Sequence, residues 1–166
     1  MKYLEIKTKF KDLIIFSLNE IKMIEPAFQR RRLNEWQEKG YIKKIVKGFY
    51  CFSDLKITRS ELFTISNTIF QPSYISFESA LSFYGLIPEA VFSITAASSK
   101  NTYKFKTCIG NFIYRKIKPE LIFGYKVIKY ENCFFKIAEI EKVILDYFYI
   151  HSDIKTEDDF YEMRIN

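Results

Sequence analysis

One segment of the chain, residues 26–53, constrains the fold most, because a helical pattern runs directly into a hairpin pattern there. The helix is predicted to begin at Pro26, whose missing N–H costs nothing in a first turn, and to stop at Gly40, which suits a helix end. Since an α-helix turns about 100° per residue, its apolar residues fall on one side. This predicted buried stripe comprises Phe28, Leu33 and Trp36.

A hairpin is predicted next, with strands at 41–46 and 49–53. Its turn falls at Lys47–Gly48, where glycine can adopt the positive φ of a tight turn. Another short helix is predicted upstream, because Ser17 and Glu20 have the spacing of a capping box, which satisfies free amide groups at a helix start. The apolar side of that helix is predicted to comprise Ile21, Met23 and Ile24. Two helices followed by a hairpin predict a winged helix-turn-helix.

The three consecutive arginines of this segment are not equivalent. Arg32 falls within the apolar stripe and is expected to lie along the helix or to pair with Glu25 or Glu35. The other two arginines face the opposite side, where their donors can read base edges or hold phosphates, and a small residue at the helix start would allow close approach to a groove. The predicted DNA-contacting residues of the helix are Ala27, Arg30, Arg31 and Asn34. Those of the hairpin are Lys43, Lys44, Lys47 and Gly48.

Charge divides the chain into two parts. Residues 1–56 contain 13 Lys and Arg against 7 Asp and Glu, whereas residues 57–166 contain 13 of each. The whole formal net charge of +6 therefore lies in the first third. A basic segment beside a neutral one indicates that one module faces a polyanion. The predicted domains are 1–56, a winged helix-turn-helix that binds double-stranded DNA, and 57–166.

The second domain, residues 57–166, has the pattern of an α+β fold. Two helical segments at 58–70 and 77–85 come first, and the second of them ends in a glycine. Five segments with a period of two follow, which is typical of an antiparallel sheet, with turns at Gly110–Asn111 and Glu131–Asn132. A last amphipathic helix is predicted to pack on the sheet, and its apolar residues include Ile140, Val143, Ile144 and Leu145. The expected fold class is α+β, an N-terminal winged helix-turn-helix followed by helices and an antiparallel sheet.

No motif predicts catalysis. The three cysteines are far apart in the sequence and the single histidine is remote from each of them, so no zinc site is expected. Glu139, Lys142 and Asp146 resemble the carboxylates and lysine of a metal-dependent nuclease. Their spacing among apolar residues favours an ordinary amphipathic helix instead. We therefore predict no catalytic residue, no cofactor and no metal.

The chain also lacks the signals of export or membrane insertion. No apolar run approaches the ~18 residues of a membrane span. The N-terminus carries charges through its first twelve residues and has no small-residue cleavage site. The cysteines form no disulfide pattern, which fits a reducing compartment. We expect a cytoplasmic protein without a membrane partner.

Four blocks of the sequence carry a family resemblance, namely RRLNEWQEKGYIKKIVKGFYCFSD, PSYISFESALSFYGLIPE, ITAASSKNTYKFKT and EIEKVILDYFY. In this order they resemble the abortive-infection (AbiE-type) antitoxins of type IV toxin–antitoxin systems, winged-helix transcriptional regulators of viral defence. The likeness covers about residues 15–165. It implies an N-terminal winged helix that binds operator DNA and represses its own operon. It also implies a C-terminal domain that counteracts a nucleotidyltransferase toxin without a stable complex.

Two other functions stay open at this point. A nuclease-like effector would use the winged helix to target a catalytic second module. A protein–protein adaptor would use the same fold without any nucleic-acid role. For a repressor, operators are often repeated sites, so more than one copy of the protein is expected to bind the DNA.

Overall fold

A computed structural model describes residues 2–162, except for the side chain of Phe160. The chain is mixed α+β and divides into two compact units. The N-terminal unit comprises Met1–Thr58 and Thr107–Ile109, and the C-terminal unit comprises Arg59–Lys106 and Gly110–Asn166. The second predicted domain extends to residue 166, so its last four residues lie outside the described part of the chain.

The N-terminal unit combines short helices with a small antiparallel sheet. Its elements are α1 (Tyr3–Lys9), β1 (Phe16–Ser17), α2 (Leu18–Ile24), α3 (Arg31–Glu38), β2 (Ile42–Val46) and β3 (Phe49–Phe52). β3 lies between β1 and β2 and pairs antiparallel with both. The two strands of the predicted hairpin are therefore present, and β1 adds a strand that the sequence pattern did not indicate.

The start of α2 has the predicted capping box. The backbone N–H of Glu20 donates to Ser17 Oγ (3.3 Å), and the Glu20 carboxylate accepts from the Ser17 backbone N–H (2.6 Å). The predicted apolar side of this helix is only partly correct. Ile21 is buried, but Met23 is 82% exposed and Ile24 is 39% exposed. Met23 lies about 200° around the helix from Ile21, so it faces the opposite side.

Helix α3 begins at Arg31, and the predicted start at Pro26 is wrong. Pro26 instead occupies a turn in which the Phe28 N–H donates to the Glu25 carbonyl oxygen (2.9 Å). The fixed φ of proline suits the second position of a β-turn as well as it suits a first helical turn, so the sequence signal is the same for both. Ala27 therefore lies in the turn and outside the helix.

The end of α3 is as predicted. Gly40 has φ +70°, and its N–H donates to the Gln37 carbonyl oxygen (2.9 Å). The Tyr41 N–H donates to the Trp36 carbonyl oxygen (2.9 Å). This pair of hydrogen bonds is the Schellman arrangement, which satisfies free carbonyl groups in the last helical turn. The left-handed glycine turns the chain out of the helix and into β2.

The hairpin turn at Lys47–Gly48 is also as predicted, with Gly48 at φ +93°. The pairing of β2 with β3 shifts between Lys44 and Val46, which leaves Ile45 as an additional residue in β2. A bulge of this kind bends a strand and re-aims the side chains next to it. The bend lies two residues before the turn.

An aromatic core holds the helices of the N-terminal unit against its sheet. The Tyr3 ring packs edge-on against Trp36 (5.5 Å between centroids) and stacks on Tyr41 (4.6 Å), and Phe16 lies 4.9 Å from Phe52. The buried residues of this core are Ile6, Phe10, Phe16, Ile21, Phe28, Leu33, Trp36, Ile42, Tyr50 and Phe52. Burying each such side chain stabilises the fold by about 1.5–3 kcal/mol. The core therefore fixes α3 relative to the hairpin.

The C-terminal unit is a mixed sheet with helices packed on it. Its elements are α4 (Arg59–Ile69), β4 (Ser73–Ile75), α5 (Phe77–Phe83), β5 (Ser93–Ser98), β6 (Tyr103–Thr107), β7 (Gly110–Lys116), a 3₁₀ turn (Pro119–Leu121), β8 (Tyr125–Tyr130), β9 (Cys133–Ala138), α6 (Ile140–Ile150) and α7 (Glu157–Glu162). The five predicted strand segments between residues 90 and 138 are all present. The turn at Glu131–Asn132 is confirmed, but the one predicted at Gly110–Asn111 lies at Cys108–Ile109 instead.

The predicted antiparallel sheet is wrong. The strand order is β6-β7-β5-β4-β9-β8, and both β5 with β7 and β4 with β9 pair in parallel. Burial gives the reason. Phe112 and Tyr114 are fully buried on β7, whereas β6 exposes Lys104 and Lys106, and lysines are favoured on edge strands. β7 therefore takes the place beside β5 that a simple meander would give to β6.

Helix α6 is present as predicted, but its apolar residues do not define its buried face. Ile140 is 43% exposed and Leu145 is 58% exposed. Lys142 and Asp146 are buried instead, at 4% and 1% exposure, beside the buried Val143. Two charged residues occupy the inner face because they bond to each other and to hydroxyl groups of the sheet, so the apolar pattern did not indicate the face correctly.

Asp146 is the centre of this buried network. Its Oδ2 accepts hydrogen bonds from the Tyr74 hydroxyl (2.9 Å) and the Ser76 hydroxyl (2.8 Å), and its Oδ1 pairs with Lys142 Nζ. Lys142 Nζ also lies 4.8 Å from the centroid of the Phe123 ring. Burial and the neighbouring Asp146 charge raise the pKa of Tyr74. Buried charges are tolerated when they are paired and hydrogen-bonded, so this network anchors α6 on the sheet.

Candidate nucleic-acid interface

The arginine triplet at the start of α3 is divided as the sequence predicted. The Arg31 side chain is 84% exposed, whereas that of Arg32 is 30% exposed. The Arg32 guanidinium lies 5.1 Å from the Phe28 ring centroid and 5.5 Å from that of Trp36, with Nη1 3.7 Å from Glu25 Oε1. Arg32 therefore packs along the buried stripe and pairs with one of the two predicted glutamates.

The outward arginines differ from each other. Arg31 Nε donates to Glu35 Oε1 (3.1 Å), an exposed pair of residues four apart on one helix. Arg30 occupies the N-cap position of α3 with helical φ and ψ. Its side chain is exposed and makes no ion pair within residues 2–162. Asn34 is exposed one turn further along. The charge of Arg30 is thus the more available of the two for a ligand.

A depression of about 230 Å³ brings residues of three separate elements together. It is lined by Ser17, Leu18, Asn19, Arg30, Lys47, Gly48 and Tyr50. Arg30 comes from the start of α3, Lys47 and Gly48 come from the hairpin turn, and Asn19 comes from the first turn of α2. Two cationic side chains and an amide therefore line one depression. None of the described residues that line it is a carboxylate, although the Glu20 carboxylate accepts from the lining Ser17 hydroxyl (2.8 Å).

The strand lysines do not all face this depression. Lys44 is paired with Tyr50 across the hairpin, and Lys43 is paired with Cys51. Directly opposed residues share a face of the sheet and successive residues alternate. Lys44 therefore lies on the face of Tyr50, which lines the depression, and Lys43 lies on the other face. The structure does not bring the three predicted hairpin lysines to one surface.

Two further differences concern single residues. Ala27 is exposed in the turn before α3, so its predicted role at the start of a groove-facing helix is wrong in its geometry. Asn19 lines the depression and was not predicted. The available signal was its position two residues after the cap Ser17, where an exposed side chain stands in the first turn of α2. An amide there can donate to an anion or accept from a neighbouring cation.

One carboxylate considered for a nuclease, Asp146, is not open to a ligand. Asp146 has its oxygens engaged by Lys142, Tyr74 and Ser76 inside the C-terminal unit. Within residues 2–162, no group of three or more His, Cys, Asp or Glu side chains is arranged to hold a metal ion. The arrangement at α6 is that of a packing contact between helix and sheet.

A scan against models of known protein families finds no match for this chain, and neither does a search of curated proteins. In the part of the chain that the structure describes, no helix has the length and apolar character needed to span a membrane.

Proposed function

We propose that the N-terminal unit is a winged helix-turn-helix that binds double-stranded DNA. In this proposal α2 and α3 form the helix-turn-helix, α3 enters the major groove, and the β2–β3 hairpin is the wing. The observation that carries the proposal is the depression that Arg30, Lys47 and Gly48 line together, three residues predicted as DNA contacts. Two cations that converge from separate elements without a lining carboxylate suit a backbone phosphate.

Each residue has a distinct role in this proposal. Arg30 and Lys47 bind one phosphate from two sides, and Asn19 donates a hydrogen bond to it. Asn34 and Arg31, on the exposed side of α3, reach base edges in the groove, where amide and guanidinium groups can bond two acceptors at once. Phosphate contacts of this kind set the register of a protein on the duplex, and base contacts supply specificity.

Arg32 supports this surface without contacting DNA. Its guanidinium lies over Phe28 and Trp36 and pairs with Glu25, so it ties the turn before α3 to the core. Arg30 lies between that turn and the helix, so the direction of its side chain depends on these contacts of Arg32. Loss of the Arg32 side chain would weaken DNA binding through packing.

The wider function that we propose follows from the sequence blocks that resemble AbiE-type antitoxins. The protein is a cytoplasmic transcriptional repressor and antitoxin of a type IV toxin–antitoxin system, with operator DNA as its ligand and more than one copy bound. The C-terminal unit counteracts a nucleotidyltransferase toxin without a stable complex. The proposal assigns no catalytic step, cofactor or metal to the chain.

DNA binding is tested by fluorescence anisotropy with the labelled upstream region of the operon across a series of salt concentrations. The Arg30→Ala/Lys47→Ala variant is expected to reduce the slope of log K against log salt by about 0.9, since the two residues hold one phosphate and each neutralised phosphate contributes about 0.9. Lys11→Gln, an exposed charge outside the depression, is the matched control and should leave the slope unchanged. Equal slopes for both variants would contradict the assignment of the depression.

The antitoxin role needs a separate experiment. The protein is co-expressed with the nucleotidyltransferase from its own operon, and growth is measured after induction of the toxin. We expect wild type to restore growth and the Arg30→Ala/Lys47→Ala variant to restore it as well, because antitoxicity is assigned to the C-terminal unit. Toxicity that persists with wild type would reject the antitoxin role and leave the DNA-binding proposal intact.

A further inference from the structure

The zero net charge of residues 57–166 conceals a separation of charge. The strands and turns from residue 93 to residue 138 contain nine Lys and Arg but only two Asp and Glu. The remaining residues of this part contain four Lys and Arg and eleven Asp and Glu. A sheet region with an excess of +7 therefore stands in a unit that is neutral as a whole. Such a region attracts polyanions even though the unit does not.

One exposed face of the outer strand pair β8–β9 combines this charge with aromatic rings. Val127 is paired with Lys136 and Lys129 with Phe134, and Tyr125 lies two residues before Val127, so their side chains share a face. We call this set the hairpin platform; it consists of Tyr125, Val127, Lys129, Phe134 and Lys136. Phe134 is 60% exposed and Val127 is 61% exposed, so the platform is open to solvent.

Contacts beside and within the platform fix its side chains. The Tyr125 ring stacks on the buried Tyr74 at 4.7 Å with an interplanar angle of 13°. Lys129 Nζ lies 5.7 Å from the Phe134 ring centroid. The acidic residue of the hairpin, Glu131, accepts a hydrogen bond from the Ser60 hydroxyl (2.8 Å). The platform therefore presents rings and ammonium groups without a carboxylate among its own residues.

We propose that the hairpin platform binds single-stranded nucleic acid. Unpaired bases stack on exposed aromatic rings while lysines hold the backbone, and this combination is typical of sheet surfaces that bind single strands. Tyr125 and Phe134 supply the rings, and Lys129 and Lys136 supply the charges. The strand distance from Tyr125 to Lys129 is about 13 Å, enough for about two nucleotides. A duplex would leave the rings unused, because its base faces are already stacked.

This inference does not depend on DNA binding by the N-terminal unit, and the test keeps the two apart. Full-length protein is titrated into fluorescein-labelled dT15 and U15, and anisotropy is followed across salt concentrations. Phe134→Leu, which keeps apolar volume but removes the ring, should weaken binding about tenfold, the loss expected for one stacked base. Lys129→Gln/Lys136→Gln should reduce the salt slope by about 1.4.

Two control variants complete the design. Lys104→Gln/Lys106→Gln makes the same charge change on the opposite edge strand β6, and we expect binding within about twofold of wild type. In the Arg30→Ala/Lys47→Ala background, which lacks the proposed duplex site, Phe134→Leu should still weaken single-strand binding about tenfold. Thermal unfolding of each variant, followed by circular dichroism, checks that the fold is kept.

Several outcomes would overturn the proposal. Wild type that binds neither oligonucleotide would reject it outright. Single-strand binding that is lost in Arg30→Ala/Lys47→Ala and kept in both platform variants would move the site to the N-terminal unit. Displacement by polyglutamate with no effect of Phe134→Leu would show that the platform takes an acidic peptide. A stronger signal for U15 than for dT15, with the ring still required, would support the proposal and identify RNA as the ligand.

Discussion

Helices α3 and α6 each carry an ion pair between residues four apart, Arg31–Glu35 and Lys142–Asp146. The first pair has side chains 84% and 43% exposed, and the second has side chains 5% and 2% exposed. An exposed pair contributes about 0.2–0.5 kcal/mol and is screened by salt. A buried pair carries a large desolvation penalty, which only close pairing and further hydrogen bonds offset. The same spacing therefore occurs on an exposed helix face in one unit and in the core of the other.

Asp146→Ala is expected to have the largest effect. It leaves Lys142 buried without its partner, and it removes the acceptor of the Tyr74 and Ser76 hydroxyls. The free energy of unfolding should fall by about 3–5 kcal/mol, the usual result of breaking a buried pair. Urea denaturation at neutral pH, followed by circular dichroism, measures this difference.

The matched control for this change is Glu35→Ala, which removes the carboxylate of the exposed pair. We expect the free energy of unfolding to change by less than about 0.5 kcal/mol in that variant. A loss below about 1 kcal/mol for Asp146→Ala would mean that water solvates the pair, and the contrast between the two helices would then fail.

Tyr74→Phe should have an intermediate effect and a pH signature. The hydroxyl donates to the buried Asp146 carboxylate, and a hydrogen bond to a charged group contributes about 1.5–3 kcal/mol. Burial and the Asp146 charge raise the pKa of Tyr74 in the folded protein, so the folded state disfavours its ionisation. The raised pKa therefore adds to the free energy of unfolding. This contribution is fully present below about pH 10, the pKa of tyrosine in an unfolded chain, and is lost as the pH rises above that value.

This predicted pH dependence is tested by measuring the free energy of unfolding of wild type and Tyr74→Phe between pH 8 and pH 11. Wild type should lose stability more steeply than the variant above about pH 10, because only wild type has this tyrosine to ionise on unfolding. Parallel curves would mean that the hydroxyl titrates in the folded protein as it does in water.

Local signals predicted much of the fold. The capping box of Ser17 with Glu20, the glycine after α3 and the Lys47–Gly48 turn each depend on a few neighbouring residues, and each is confirmed. Arg32 was also placed correctly, because its helical angle relative to Leu33 and Trp36 is a local property. These features follow from backbone geometry that tertiary contacts leave unchanged.

The wrong predictions share a different cause. Pro26 fits a β-turn and a helix start equally well, and Phe28 was expected to be buried in either case, so the local pattern does not distinguish the two. The inner face of α6 depends on Tyr74 and Ser76, which lie about 70 residues away in the sequence from Asp146. The place of β7 beside β5 likewise depends on which strand must be buried. These features depend on contacts between segments that are distant in the sequence, and the periodicity within one segment does not predict such contacts.

The candidate site shows the same division. The exposure of Arg30 and Arg31 could be predicted from helix phase, but the meeting of Arg30 with Lys47 and Asn19 could not. That meeting requires α2, α3 and the hairpin to share one core, and the position of each depends on aromatic packing across the whole N-terminal unit. Sequence reasoning thus identifies candidate residues better than it identifies which of them act together.

Glu35→Gln is expected to have the smallest effect and tests the ligand side of the comparison. In wild type, Arg31 Nε donates to the Glu35 carboxylate (3.1 Å). The change removes this carboxylate from the exposed side of α3 and frees Arg31 Nε. Affinity for operator DNA should rise by about two- to fivefold, the range that one exposed pair can supply, while the free energy of unfolding stays within about 0.5 kcal/mol. Because the gain is electrostatic, it should shrink as salt increases. Anisotropy titrations at two salt concentrations check both points, and a loss of affinity would mean that Glu35 positions Arg31 for the DNA instead of competing for it.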